Sequence, residues 1–261
     1  MFGTVIMDAY RQEETAEIAN ALDELCNPND SYGWASAGIY CFWDYYIEEV
    51  LYIGLASDLY TRFKQHNGLL PTNDTCCKKT YIDKYFSCNE RLGYSIFVQS
   101  PLSQPLTFRN KKKYAKFAAQ ENAPVADFFT EQGKNDIKRV EGILIESYKR
   151  HYGHFPPWNQ IGGSADGQHS VMPNNINIVR SFCSPDLYER NPIVSRSTLR
   201  ELAHNSEYEF YECNFFHVVR TYMLIFGMEF KEALDFTISH DKCNIFDMIK
   251  KNGYLKKKLI L

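Results

Sequence analysis

Apolar positions recur at two periods along this chain, and the switches between them mark its elements. Ile18, Leu22 and Leu25 fall at helical spacing and predict an amphipathic helix over 11–26, followed by a loop rich in turn formers at 27–31. Gly38 to Trp43 and Val50 to Gly54 read as strands, and the polar link from Asp44 to Glu49 suits an antiparallel hairpin. Ser57 or Asp58 caps a helix that runs through His66 and stops near Asn67-Gly68. Residues 94–99 form a third strand in this reading, and the basic stretch from Arg109 opens a helix reaching about Asn122. A long helix follows from Asn135 or Asp136 to about Tyr152, with Phe155-Pro156-Pro157-Trp158-Asn159 as a rigid corner behind it. Gly162 to Gly167 reads as a flexible joint and a domain boundary. Beyond residue 175 the pattern is mainly helical, notably at 197–204, 214–227 and 229–239.

The long helix contains a chemical anomaly. Its apolar stripe is Ile137, Val140, Leu144, Ile145, Tyr148 and Tyr152, and at 100° per residue Glu141 lies in the middle of it. Glu146 falls about 140° away and should face solvent. A carboxylate among buried residues is costly unless a cation or a metal ion accompanies it. Position alone leaves a structural ion pair and a functional acid equally open. On the earlier helix, Arg62 and His66 are four apart and share a face. They suit phosphate neutralisation and proton transfer, but in isolation they read as a surface pair beside Asp58.

Composition narrows the classes. Net charge is −3 and the pI about 6.2, which argues against a protein that coats nucleic acid indiscriminately. A local basic surface remains available in Lys111, Lys112, Lys113 and Lys116 behind Arg109. Eight cysteines show no framework spacing, and no CxxC supports a zinc site at Cys76, Cys77, Cys88 and His66. No signal peptide is recognisable, and the run from Phe215 to Met228 is too short for a bilayer and carries His217 and Arg220. A reducing cytoplasm is the expected setting.

The ordered set changes the weighing. Gly38-Ile39-Tyr40, eleven residues, Tyr52-Ile53-Gly54, then Asp58, Arg62 and His66, the helix opening Glu141-Gly-Ile-Leu-Ile-Glu, and Pro157-Trp158-Asn159 together resemble the GIY-YIG nuclease family over 38–159. The resemblance implies an α+β fold: a small sheet of three antiparallel strands flanked by helices at 36–163, with an insertion at 67–135. A helical extension would precede it at 1–35, and a helical region would follow at 175–261. It further implies a DNA endonuclease using Mg²⁺ or Mn²⁺ on double-stranded DNA, of restriction, phage-defence or homing type; cutting both strands would favour a homodimer or two sequential nicks. Carried over, Tyr40 activates the attacking water, Tyr52 is its hydrogen-bonding companion and Arg62 clamps the phosphate. Glu141 binds the metal, Asn159 orients the site, and His66 assists proton transfer. The basic run would position phosphates. Two routes for the Tyr40 proton stay open: Arg62 and the metal favour the phenolate, or the proton passes to His66. The alternatives are a fold relative that binds nucleic acid without cutting it, and a structure-specific repair nuclease. The spacing departs from the family's pattern in the 74 residues between His66 and Glu141 and the eighteen-residue step to Asn159.

Overall fold

The structure is a computed structural model that describes residues 2–27, 34–72, 77–125, 131–184 and 192–261, without the side chains of 102, 113, 117 and 131. The 27–31 loop, Cys76 and the Lys113 side chain therefore lie outside the description beyond Asn27.

Among the described residues the chain forms one four-stranded antiparallel sheet, in the order β1-β4-β2-β3, with β1 Phe2–Tyr10, β2 Gly38–Asp44, β3 Glu49–Ala56 and β4 Leu92–Gln99. The expected hairpin is β2-β3, and the third predicted strand is β4. The expected three-stranded sheet is corrected by β1, which pairs along β4 from Phe2 to Tyr10. The first residues are thus a sheet strand, not part of a helical extension. The reason is physical: β1 is buried along its whole length, so it lacks the period-2 alternation that announces a half-exposed strand. Its polar residues are matched from far along the chain. Arg200 reaches Asp8 at 2.8 Å, and Arg220 bonds the Thr4 hydroxyl at 3.1 Å.

Helices cover both faces. On one, α1 Thr15–Leu25, α2 Leu59–His66 and α3 Lys79–Phe86 pack over Tyr10, Phe42, Tyr94 and Ile96. On the other, α5 Glu131–Tyr152 buries Ile137, Leu144, Ile145 and Tyr148 against Ile39, Cys41 and Ile53. α4, Lys111–Gln120, fills the connection between β4 and α5.

The 162–167 segment is packed where a flexible joint was expected. Ser164 caps α6 Ala165–His169, and this short helix lies against α5 through glycines. A Cβ on Gly167 would come within 2.3 Å of the Arg139 carbonyl, and one on Gly142 within 2.6 Å of the Ser164 carbonyl. The glycines serve backbone contact here. Glu146, expected to face solvent, pairs with Arg150 at 3.0 Å with its side chain only 14% exposed. Arg150 in turn bonds the Gln168 carbonyl, so α6 shields this flank of α5.

The C-terminal region is helical, as expected: α7 Asn175–Arg180, α8 Leu199–His204, α9 Ser206–Tyr211, α10 His217–Phe226, α11 Phe230–Ser239 and α12 Ile245–Asn252. It is tied to β1, because Val5 exchanges backbone hydrogen bonds with Ile193 and Ser195. A buried ion pair, Arg220–Glu212, lies behind that seam, with the Tyr254 hydroxyl on Glu212 at 2.7 Å. No helix among the described residues is long and apolar enough to cross a membrane.

Candidate active site

The β2-β3 register sets Tyr40 opposite Gly54 and Phe42 opposite Tyr52. Tyr40 and Tyr52 are therefore diagonal neighbours on one face, with ring centroids 5.7 Å apart. Gly54 makes this possible. A Cβ there would come within 2.7 Å of both the Tyr40 hydroxyl and the Tyr52 ring. Gly54→Ala is expected to displace the Tyr40 hydroxyl and lower stability by about 1–3 kcal/mol, the usual cost of overpacking a core. Urea unfolding checks it, and a variant as stable as the parent would show that the site has room for the methyl.

Asp58 caps α2 by accepting from Thr61 N at 2.8 Å, and α2 then turns Arg62 and His66 toward the tyrosines. His66 is fully buried, with Nε2 2.7 Å from the Tyr40 hydroxyl. Its Nδ1 accepts the Lys78 backbone N–H at 2.9 Å. A nitrogen that accepts cannot carry the proton, so the neutral ring is protonated on Nε2 and donates to Tyr40. Arg62 Nε donates to the same hydroxyl at 3.3 Å, and its Nη1 reaches Gln65 at 3.3 Å. Burial, then Tyr52, hold the Tyr40 phenol well above its usual range, with Arg62 pulling the other way.

Glu141 approaches from the opposite layer and meets these groups at the outer edge of β3. An edge strand presents unpaired backbone groups. Here the Leu51 carbonyl accepts from Trp158 N at 2.8 Å, and the Asn159 amide bonds Ile53 N at 2.9 Å and Ile53 O at 2.8 Å. The Glu141 carboxylate accepts from Leu55 N. Desolvation pushes its pKa up to about 7, opposed by that hydrogen bond and by Arg62. Asn159 thus acts as a clamp on the strand that carries Tyr52 and Gly54.

Other expectations separate. Arg109 is occupied by Asp58 at 2.9 Å and Asp23 at 2.6 Å and lies over the Tyr60 ring, so it belongs to the scaffold. Lys111, Lys112 and Lys116 are exposed on α4. Among the described residues no three His, Cys, Asp or Glu gather as a metal cluster, and Cys77 bonds the Gln65 carbonyl. Sequence reading missed Lys78, which fixes the His66 tautomer through its backbone. Its ammonium lies 4.8 Å over the Tyr52 ring and 5.4 Å over Tyr81, while the residue is only 5% exposed. No side-chain pattern signals a contact made by a backbone N–H. Comparison with protein-family models, with curated proteins and with solved structures finds no match to this chain.

Proposed function

We propose that this chain is a metal-dependent endonuclease that hydrolyses phosphodiester bonds of double-stranded DNA, the activity implied by its resemblance to GIY-YIG nucleases. One observation carries the reading. The Tyr40 hydroxyl receives N–H groups from both His66 and Arg62, and Arg62 is within electrostatic reach of the half-buried Glu141 carboxylate. Residues spread over a hundred positions of chain thus combine a phenol, a guanidinium and an acid at one sheet edge.

The donor set fits one hard cation. Glu141 supplies a single desolvated carboxylate, and Mg²⁺ commonly binds through one or two carboxylates while keeping several waters. Such an ion supplies Lewis-acid neutralisation of a phosphate oxygen and a more acidic water. The remaining work falls to side chains. Arg62 holds a non-bridging oxygen of the anionic substrate. Tyr40 orients the attacking water; its hydroxyl also hydrogen-bonds Tyr52, and the N–H donors of His66 and Arg62 stabilise negative charge as it develops on the oxygen.

This pattern argues against proton transfer from Tyr40 to His66. Accepting a proton at Nε2 requires the other tautomer, which would set its Nδ1–H against the Lys78 N–H. His66→Gln, which keeps an Nε2 donor and has no basic nitrogen, is expected to retain activity within about tenfold. If His66 were a general base, the same variant would lose about 10² to 10⁴-fold. Initial nicking rates for His66→Gln beside the parent distinguish the two.

The overall reading is tested by nicking of supercoiled plasmid. The parent is expected to nick in Mg²⁺ or Mn²⁺ and to stop in EDTA, with activity restored by added metal. A parent that binds DNA and never nicks it is a binding module instead.

A further inference from the structure

A cavity of about 360 Å³ opens beside the candidate site, between the exit of β3, the 104–110 loop and the first half of α5. We propose that it is a nucleobase site, taking one unstacked base of the DNA strand whose phosphate lies at Arg62 and Glu141; the inference rests on the nuclease reading and specifies its substrate. The cavity adjoins that site. Leu55, whose N–H bonds Glu141, is in its wall, and so are Ile137 and Lys138, one helical turn before Glu141. Lys138 and Lys134 lie three and seven residues before Glu141 and share its face of α5. At 1.5 Å per residue they stand about 4.5 and 10.5 Å along the helix from the acid, which suits them to phosphates of the same strand.

The opposite wall holds a bare ring. Phe108 is 93% exposed and Leu106 47%. A lone exposed phenylalanine means little, but this one stands on a turn pegged at both ends. Gln104, buried, bonds Ser36 and Ala37 through its oxygen and the carbonyls of Trp34, Ala37 and Gln99 through its nitrogen. Asn110, also buried, accepts from Thr107 N at 2.7 Å and donates to the Pro105 carbonyl at 3.0 Å. The chain between these pegs is held in place, and it holds Phe108 out at the mouth.

Charge selects the occupant. Lys134 and Lys138 are exposed, while the one acid of the lining among the described residues, Asp58, is neutralised by Arg109 at 2.9 Å. An apolar slot with an aromatic at its lip and ammonium groups along one side matches a base on an anionic backbone. Every base offers a face for stacking, so the site requires an unstacked base but no particular sequence. The volume lies at the small end of the range for ligand sites, about 300 to 1,000 Å³.

The test uses the full chain carrying Glu141→Gln, so that binding is read without cleavage. Fluorescence anisotropy compares a perfect duplex with the same duplex bearing a one-base bulge. The bulged duplex is expected to bind about tenfold tighter, Phe108→Ala on this background to abolish that preference, and Phe108→Trp to keep it. Phe108 makes no core contribution, so its loss leaves the fold intact. Equal affinity for both duplexes, or a preference untouched by Phe108→Ala, overturns the proposal. So does a sedimentation shift from dimer to monomer on Phe108→Ala without change in DNA preference, which would assign the ring to a second copy. If the parent cuts no DNA while the Phe108-dependent preference holds, the hydrolytic reading falls and the base site stands.

Discussion

Replacing Glu141 by glutamine is expected to remove cleavage by at least about 10²-fold and, in the absence of metal, to make the folded protein more stable at pH 8. Both effects have one origin. The carboxylate is kept at the β3 edge where desolvation raises its pKa from 4.5 to about 7. An acid whose folded pKa lies above its unfolded value is a stabilising group only while protonated. Its contribution is most favourable below about pH 4.5, is lost as pH rises toward 7, and leaves a constant penalty above that. A rise of this size corresponds to at most about 3 kcal/mol, and partial exposure reduces it, so a gain of about 1–3 kcal/mol is expected for Glu141→Gln at pH 8. The glutamine oxygen still accepts from Leu55 N. At pH 4.5 the two proteins should unfold alike. Urea unfolding in EDTA at the two pH values measures this, and a variant no more stable than the parent at pH 8 would refute it. Added Mg²⁺ should reverse the order, because a ligand that binds only the folded parent stabilises it by mass action. At limiting Mg²⁺, nicking by the parent should rise with pH through about 7 as the carboxylate ionises. More Mg²⁺ should move that limb to lower pH, since proton and cation compete for one group.

Tyr40→Phe is the second large effect. The ring is 1% exposed and packs on Phe42, Tyr52, Tyr94 and His66, so phenylalanine keeps the apolar contacts. What disappears is the oxygen that takes the His66 and Arg62 N–H groups. A loss of about 10² to 10⁴-fold in nicking is expected if that oxygen orients the water and carries developing charge. Stability should fall by about 1–3 kcal/mol, because the buried His66 N–H is left facing carbon. DNA affinity should change little, since Arg62 and the exposed lysines remain. A variant that nicks at the parent rate would remove Tyr40 from the chemistry and leave it as a core residue.

Much of this site was legible in the sequence because its geometry is local. A short polar link announced the hairpin that carries Tyr40 and Tyr52, and helical spacing put Arg62 with His66. The same arithmetic exposed Glu141 as an acid in an oily stripe. These inferences need only fixed backbone repeats. Convergence of the two layers is a different matter. Glu141 meets the others because β3 is the sheet's edge strand, leaving Leu55 N free to hold the carboxylate, and edge status depends on strand order.

The strand that sequence reading missed, β1, lies at the opposite edge, and its polar Thr4 and Asp8 are compatible with a buried strand only because Arg220 and Arg200 arrive from the far end of the chain. The same holds for the His66 tautomer, set by a backbone N–H at Lys78, and for the glycines around Gly142, which read as a joint until two backbones are seen to touch. By itself the sequence determined which side chains α2, α5 and the β2-β3 hairpin would bring to the site. Only the tertiary structure decided which edges, backbone donors and distant cations those side chains would meet, because such contacts close loops of tens to hundreds of residues and leave no repeat along the chain.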